Sequence, residues 1–83
     1  LKRVGAVEVR FYTRAQCPLC QKAKKILDEL RLVHSVYYEE IDIHSSDELV
    51  EKYGLMIPVI ERDGDVIGYG QINKNQLLQN LIK

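Results

Sequence analysis

The sequence predicts an α/β fold in the order β-α-β-α-β-β-α, and three observations carry that prediction. Val7, Val9 and Phe11 alternate with Glu8, Arg10 and Tyr12, the period-two pattern of a strand. Pro18 then opens a run in which Leu19, Ala23, Ile26, Leu27 and Leu30 recur at helical spacing. Further on, Asp63-Gly64 separates two short apolar runs, a strong hairpin signal.

Taken in order, the first strand is expected near residues 6–12, within an alternating stretch that starts at Val4. The first helix runs from Pro18 to about Leu32, because proline suits the first helical position, where its missing N–H has no partner to lose. Its lysines (Lys22, Lys24, Lys25) precede its acids (Asp28, Glu29), against the helix dipole. Lys24–Asp28 and Lys25–Glu29 are expected to pair on a solvated face, with a positive collar near Cys17 as the functional alternative. Val36–Asp42, rich in sheet-forming Tyr37, Tyr38 and Ile41, is the second strand; the helix between makes a parallel βαβ unit.

Ser45 and Glu48 read as a capping box for a short second helix, with Leu49, Val50 and Tyr53 on its apolar face and Gly54 as a left-handed end cap. Pro58 cannot donate to a ladder, so it starts a strand over Pro58–Glu61. The hairpin returns through Val66-Ile67-Gly68-Tyr69. Asn73, with Gln76 three residues later, caps a last helix that buries Leu77, Leu78, Leu81 and Ile82.

With 83 residues the chain suits a single domain, residues 1–83, with a modest core. Twelve basic residues balance twelve acidic ones, which argues against nucleic acid or an anionic membrane as partner. No apolar run approaches the roughly 20 residues of a spanning helix. Leu1-Lys2-Arg3-Val4-Gly5 leads into no long apolar block, so no signal peptide is expected; a start at Leu1 rather than Met fits a processed or excised segment. Two cysteines are too few for a secreted disulfide scaffold, and cytoplasm or an organelle matrix is the expected location.

Those two cysteines are the chemical centre of the sequence. Cys17 falls at the N-cap of the first helix and Cys20 in its first turn, so helical geometry returns Cys20 beside Cys17. Unpaired N–H groups and the positive end of the dipole face Cys17, which favours its thiolate. Two residues enclose too small a loop to constrain the unfolded chain much, so a purely structural bridge is a poor reading. A Cys-x-x-Cys pair at a strand-to-helix junction reads as a dithiol/disulfide redox motif.

Tyr12-Thr13-Arg14-x-x-Cys17-Pro18-Leu19-Cys20 after a first strand, and Ile57-Pro58-Val59 before a hairpin, resemble the thioredoxin superfamily and within it the glutaredoxins and glutaredoxin-like proteins. The element order extends that resemblance over nearly the whole chain. It implies a thioredoxin-like fold of glutaredoxin type, with a four-stranded mixed sheet in the order second, first, third, fourth and helices on both faces. It also implies that Pro58 is cis and packs against the cysteine pair.

By the same resemblance the protein is a thiol–disulfide oxidoreductase acting on protein disulfides or glutathione mixed disulfides. Cys17 is then the nucleophile and Cys20 the resolving thiol. Pro18 sets the helix start and the redox poise, Leu19 gives an apolar rim, and Ile57 offers backbone hydrogen bonds to an extended substrate beside Pro58. Arg14 either stabilises the thiolate or is an exposed loop charge; Tyr12 is a packing residue. Glutathione or a thioredoxin-type reductase is the expected electron donor, no cofactor is expected to stay bound, and the protein is expected to be a monomer.

The match departs from both branches. Pro-Leu stands between the cysteines where dithiol glutaredoxins have Pro-Tyr. Gly68-Tyr69-Gly70-Gln71 stands where they carry Gly-Gly and an acid that hold the amino end of glutathione. The Trp and Gly-Pro of thioredoxins are also missing. Fold and dithiol chemistry transfer better than glutathione specificity.

Three other readings compete. Cys17, Cys20, His34 and His44 superficially resemble a zinc finger, but the histidines flank a strand at the wrong spacing. A non-catalytic binding domain would not need both thiols. Bridging iron–sulfur sites in related families mostly use a single-cysteine Cys-Gly-Phe-Ser motif, which this sequence lacks.

Overall fold

The computed structural model describes residues 7–82, with side chains to residue 81. Along the chain come β1 (Val7–Thr13), α1 (Pro18–His34), β2 (Val36–Asp42), α2 (Asp47–Tyr53), β3 (Val59–Arg62), β4 (Asp65–Tyr69) and α3 (Lys74–Ile82). The expected start of the first strand at residue 6, the alternation before it from Val4, and the burial of Ile82 lie outside what is described. The strands form one sheet in the order β2-β1-β3-β4. β1 runs parallel to β2, from Val7 opposite Val36 to Thr13 opposite Asp42, and antiparallel to β3. The sheet is therefore mixed and ordered as the resemblance implies.

Successive strand residues point to opposite faces, and at the end of β1 both faces are buried, whereas Glu8 and Arg10 are exposed. Val9 and Phe11 join Ala23, Leu27 and Leu30 of α1 and Leu77 and Leu81 of α3 in one apolar cluster. Tyr12 faces the other way and joins Val59, Ile43 and Tyr53 of α2. Helices thus cover both faces of the sheet. Tyr12, placed by alternation on the polar side of a strand, is only 5% exposed because α2 closes over it.

The long helix differs from its expected form in three ways. It continues to His34, and Ser35 ends it in the left-handed region (φ 55°, ψ 40°), its N–H bonding the Leu30 carbonyl. Its buried stripe begins at Cys20 rather than Leu19, which is 40% exposed. Its acids choose tertiary partners. Asp28 accepts from the Tyr38 hydroxyl at 2.6 Å, Glu29 pairs with Lys74 at 2.8 Å, and Lys24 pairs with Glu40 at 3.1 Å. The expected Lys24–Asp28 pair gives way because β2 brings other partners alongside; Lys25 still acts on Glu29 through its charge, while Lys74 of α3 makes the close ion pair.

The second helix corrects two further expectations. Asp42 accepts the His44 N–H at 2.8 Å and starts a single 3-10 turn over Ile43–Ser45. That turn consumes Ser45 and moves the N-cap to Ser46, whose side chain makes no capping bond, so the Ser45–Glu48 box does not form. Gly54 is right-handed (φ −56°, ψ −31°), not left-handed. It donates to the Val50 carbonyl at 2.8 Å, and a Cβ there would collide with that same oxygen.

The hairpin and the last cap match. Asp63 and Gly64 both have positive φ (52° and 88°), the requirement of a tight twisted turn between β3 and β4. The Asn73 side chain accepts the Gln76 N–H at 3.0 Å, while Leu77 and Leu81 are buried.

Candidate active site

β1 ends at Thr13, and Arg14, Ala15 and Gln16 form an exposed loop. Gln16 takes a positive φ of 57°, which turns the chain into the helix start. Cys17 is the N-cap of α1 with extended backbone (φ −117°, ψ 102°), and Pro18 follows at the first helical position. The Cys17 sulfur accepts the Cys20 N–H at 3.2 Å, so a cysteine fills the place usually held by a serine or aspartate. No acid stands in the first turn. The positive end of the dipole therefore meets no negative side chain on its own helix at the sulfur.

Cys17 and Cys20 are joined in a disulfide, with Cα atoms 5.1 Å apart. Both are buried, Cys17 less so at 7% exposure against 3% for Cys20. Exposed Pro18 and Leu19 lie between them. A buried sulfur at a helix start, beside a second sulfur and an exposed apolar side chain, fits chemistry that draws a partner onto the surface around Cys17. Arg14 is exposed, three residues before Cys17.

The Ile57–Pro58 peptide bond is cis. Pro58 is fully buried, and Ile57 packs against the cluster that contains both cysteines. The Ile57 N–H is engaged by the Tyr53 carbonyl at 3.2 Å. Of the backbone groups expected to meet a substrate at Ile57, the N–H is thus already bonded within the chain.

Two features went unnoticed in the sequence. Gly70, with φ 67°, donates its N–H to the carbonyls of both Met56 and Pro58, at 3.0 and 2.9 Å, and so ties the β4–α3 loop to the cis-proline loop. Glu61 is a buried carboxylate on the opposite face from the cysteine cluster. It accepts from the Tyr53 hydroxyl at 2.8 Å and the Tyr12 hydroxyl at 3.4 Å, with the Arg10 guanidinium 3.9 Å away. Burial, then the bond to Glu61, pushes the Tyr53 hydroxyl above its ordinary value. Period-two alternation from buried Val59 would have placed Glu61 on that face, which was the available signal.

His34 and His44 do not approach the cysteines as a ligand set. His34 ends α1, about 24 Å along the helix from Pro18 at 1.5 Å per residue. Among the described residues no three or more Cys, His, Asp or Glu side chains gather as a metal-holding group.

Residues 8–82 match the model of the glutaredoxin-like domain family (DUF836). A thioredoxin of Methanocaldococcus jannaschii is 29% identical, over 96% of this chain and 98% of its own length. A glutaredoxin-like protein of Dictyostelium discoideum is 30% identical, over 98% of this chain and 81% of its own. The structure of a thioredoxin mutant from Halobacterium salinarum overlays with a TM-score of 0.66 at 19% identity, covering 94% of this chain and 74% of that one. It shares the fold. With its cysteine pair at disulfide distance on a thioredoxin-type sheet, the chain belongs to the glutaredoxin-like domain family of the thioredoxin superfamily.

Proposed function

We propose that the protein is a thiol–disulfide oxidoreductase that reduces protein disulfides or glutathione mixed disulfides through Cys17 and Cys20. The observation that carries this reading is the Cys17 sulfur at the α1 N-cap, bonded by the Cys20 N–H and joined to the Cys20 sulfur.

In the reduced protein the Cys17 thiolate attacks one sulfur of a substrate disulfide. A Cys17–substrate disulfide forms and the other substrate sulfur leaves as a thiolate. Cys20 loses its proton and attacks the Cys17 sulfur. The Cys17–Cys20 bond forms, and the second substrate sulfur leaves and takes up a proton. Two electrons and the Cys20 proton pass to the substrate, whose first-released thiolate is protonated by solvent, and the protein ends as the disulfide described above. An external thiol donor, glutathione or a thioredoxin-type reductase, returns it to the dithiol.

Pro18 fixes the helix start that positions Cys17, Leu19 offers apolar contact to the substrate, and Arg14 supplies positive charge on the loop before the thiolate. The Ile57 carbonyl beside cis-Pro58 accepts a backbone hydrogen bond from an extended substrate. The chemistry needs no resident cofactor, and the protein works as a monomer in the cytoplasm or an organelle matrix. Among the described residues no helix is long and apolar enough to cross a membrane.

Reduction of a disulfide substrate by wild type, Cys17→Ser and Cys20→Ser tests the reading. Cys17→Ser is expected to lose turnover, and Cys20→Ser to accumulate a substrate–Cys17 mixed disulfide visible by mass. Full turnover by Cys17→Ser would overturn the assignment.

A further inference from the structure

Two chain segments lead into the candidate site, and a carboxylate ties them together on the far side of the sheet. Tyr12, next to the end of β1, precedes the loop to Cys17. Tyr53, the last residue of α2, precedes the loop to Ile57 and Pro58. Both tyrosines are buried in the cluster that does not contain the cysteines, with ring centroids 4.8 Å apart. Buried Glu61 of β3 joins them. One carboxylate oxygen accepts the Tyr53 hydroxyl at 2.8 Å, the other the Tyr12 hydroxyl at 3.4 Å. The first distance is that of a strong O–H···O bond and the second is beyond the usual range, so Tyr53 is the main partner.

Tyr53 also holds the Ile57–Pro58 loop by its backbone. Its carbonyl accepts the N–H groups of Met56 at 2.8 Å and Ile57 at 3.2 Å. The chain from Tyr53 to Glu61 carries Met56, Ile57 and Pro58, and the hydroxyl–carboxylate bond closes it into a ring. The other sides of that ring have their own ties. Val59 pairs with Tyr12 of β1, and the Gly70 N–H holds the Met56 and Pro58 carbonyls.

The α2 side is the weak one. That helix has seven residues, too few to be stable without tertiary contacts. Ring packing against Tyr12 limits where the Tyr53 side chain goes, but a directed hydrogen bond to Glu61 fixes it. With Tyr53 fixed, so are the two amides on its carbonyl, one of them on Ile57 itself.

We propose that Tyr53 and Glu61 are positioning residues, whose bond presets the Ile57 carbonyl for an extended substrate and leaves thiol exchange at Cys17 untouched. The proposal rests on the oxidoreductase reading. A loop held in place spares the substrate the cost of ordering it, so the bond acts on KM for substrates that bring a backbone. The two faces of the sheet stay separate in thiol chemistry and meet only in how the substrate is placed.

The test uses two probes that share a leaving group. Bis(2-hydroxyethyl) disulfide offers no backbone to the loop. A short peptide with one cysteine, as its mixed disulfide with 2-mercaptoethanol, does. Dithiothreitol is the donor, and the uncatalysed rate is subtracted. Tyr53→Phe, which removes one oxygen atom, is expected to raise the peptide KM about three- to tenfold, the worth of one hydrogen bond. Its kcat for the peptide, and both constants for the small disulfide, are expected to stay at wild type. Glu61→Leu is expected to match Tyr53→Phe, whereas Glu61→Gln keeps an acceptor oxygen and is expected to stay close to wild type. Amide exchange at Met56 and Ile57 is expected to quicken in Tyr53→Phe, but not at Gln21, whose N–H bonds the Cys17 carbonyl in α1.

An unchanged peptide KM in Tyr53→Phe overturns the positioning role and leaves the oxidoreductase reading standing. So does an equal rise for both probes, or a Glu61→Gln protein as impaired as Tyr53→Phe. If Glu61→Leu does not fold, Tyr53→Phe and Glu61→Gln decide without it. If wild type reduces neither probe, the oxidoreductase reading fails. Exchange at Met56 and Ile57 then decides the positioning role, and unchanged rates in Tyr53→Phe overturn it too.

Discussion

The two faces of the sheet are built from the same strands, yet they use polar chemistry in opposite ways. On the α1/α3 face, Phe11 and Ile60 pack with Leu27, Leu30 and Leu77 in a cluster whose reactive members are two sulfurs. On the α2 face, Tyr12 and Val59 pack with Ile43 and Tyr53 around the Glu61 carboxylate, which both tyrosine hydroxyls bond. One face packs apolar side chains around the cysteine pair; the other pairs a buried carboxyl group with two tyrosine hydroxyls. Thiol chemistry and much of the polar stabilisation are therefore separable, although Phe11 and Tyr12 are neighbours in sequence.

The largest expected effect breaks the sulfur face chemically. Cys17→Ser should drop disulfide reduction to the uncatalysed background while the melting temperature of the reduced protein stays close to that of wild type. Breaking the same face physically comes next. Phe11→Ala removes a fully buried ring and should cost about 3–5 kcal/mol in denaturant unfolding.

On the other face, Glu61→Ala leaves two tyrosine hydroxyls without their acceptor. About 1–3 kcal/mol per buried group is expected, with the thiol chemistry of the surviving folded protein retained. A loss of activity at full stability would instead join the two faces functionally.

Alkaline unfolding sharpens the comparison, because each face carries a raised tyrosine. Burial, then the bond to Asp28, pushes Tyr38 up to about 12, and burial, then the bond to Glu61, raises Tyr53 from its usual 10. The unfolded chain gives up these protons at lower pH than the folded one. The stabilisation they carry is complete below about pH 10 and is lost as pH rises through the folded values. Stability should be level on the neutral side and fall towards pH 12, and Tyr53→Phe should make that fall shallower. The smallest effect is expected from Asn73→Ala, about 1 kcal/mol for a lost helix cap.

Legibility followed the range of the interactions. The Cys17–Pro18 helix start, the Asp63-Gly64 turn and the Asn73 cap are set by two or three adjacent residues, and each was readable. The sheet order and cis-Pro58 came through resemblance, since no local pattern in residues 55–61 dictates either. Where the sequence misled, a different partner had intervened, in one case a near neighbour and otherwise a residue from another element. Asp42 bonded His44 and displaced the cap from Ser45 to Ser46. Lys74 took Glu29, and Tyr38 took Asp28, from the lysines one turn before them on the helix. Glu61 was passed over because a charged residue ordinarily lies at the surface, and the two tyrosines that hold it come from β1 and α2.

The central claim is that the helix start makes Cys17 the reactive thiol. The most direct test is thiolate absorbance against pH in reduced Cys20→Ser protein, where Cys17 is the sole cysteine. The account predicts titration clearly below the roughly 8.5 of a free cysteine, because the α1 N-terminus favours the thiolate. A midpoint at or above that value would contradict it.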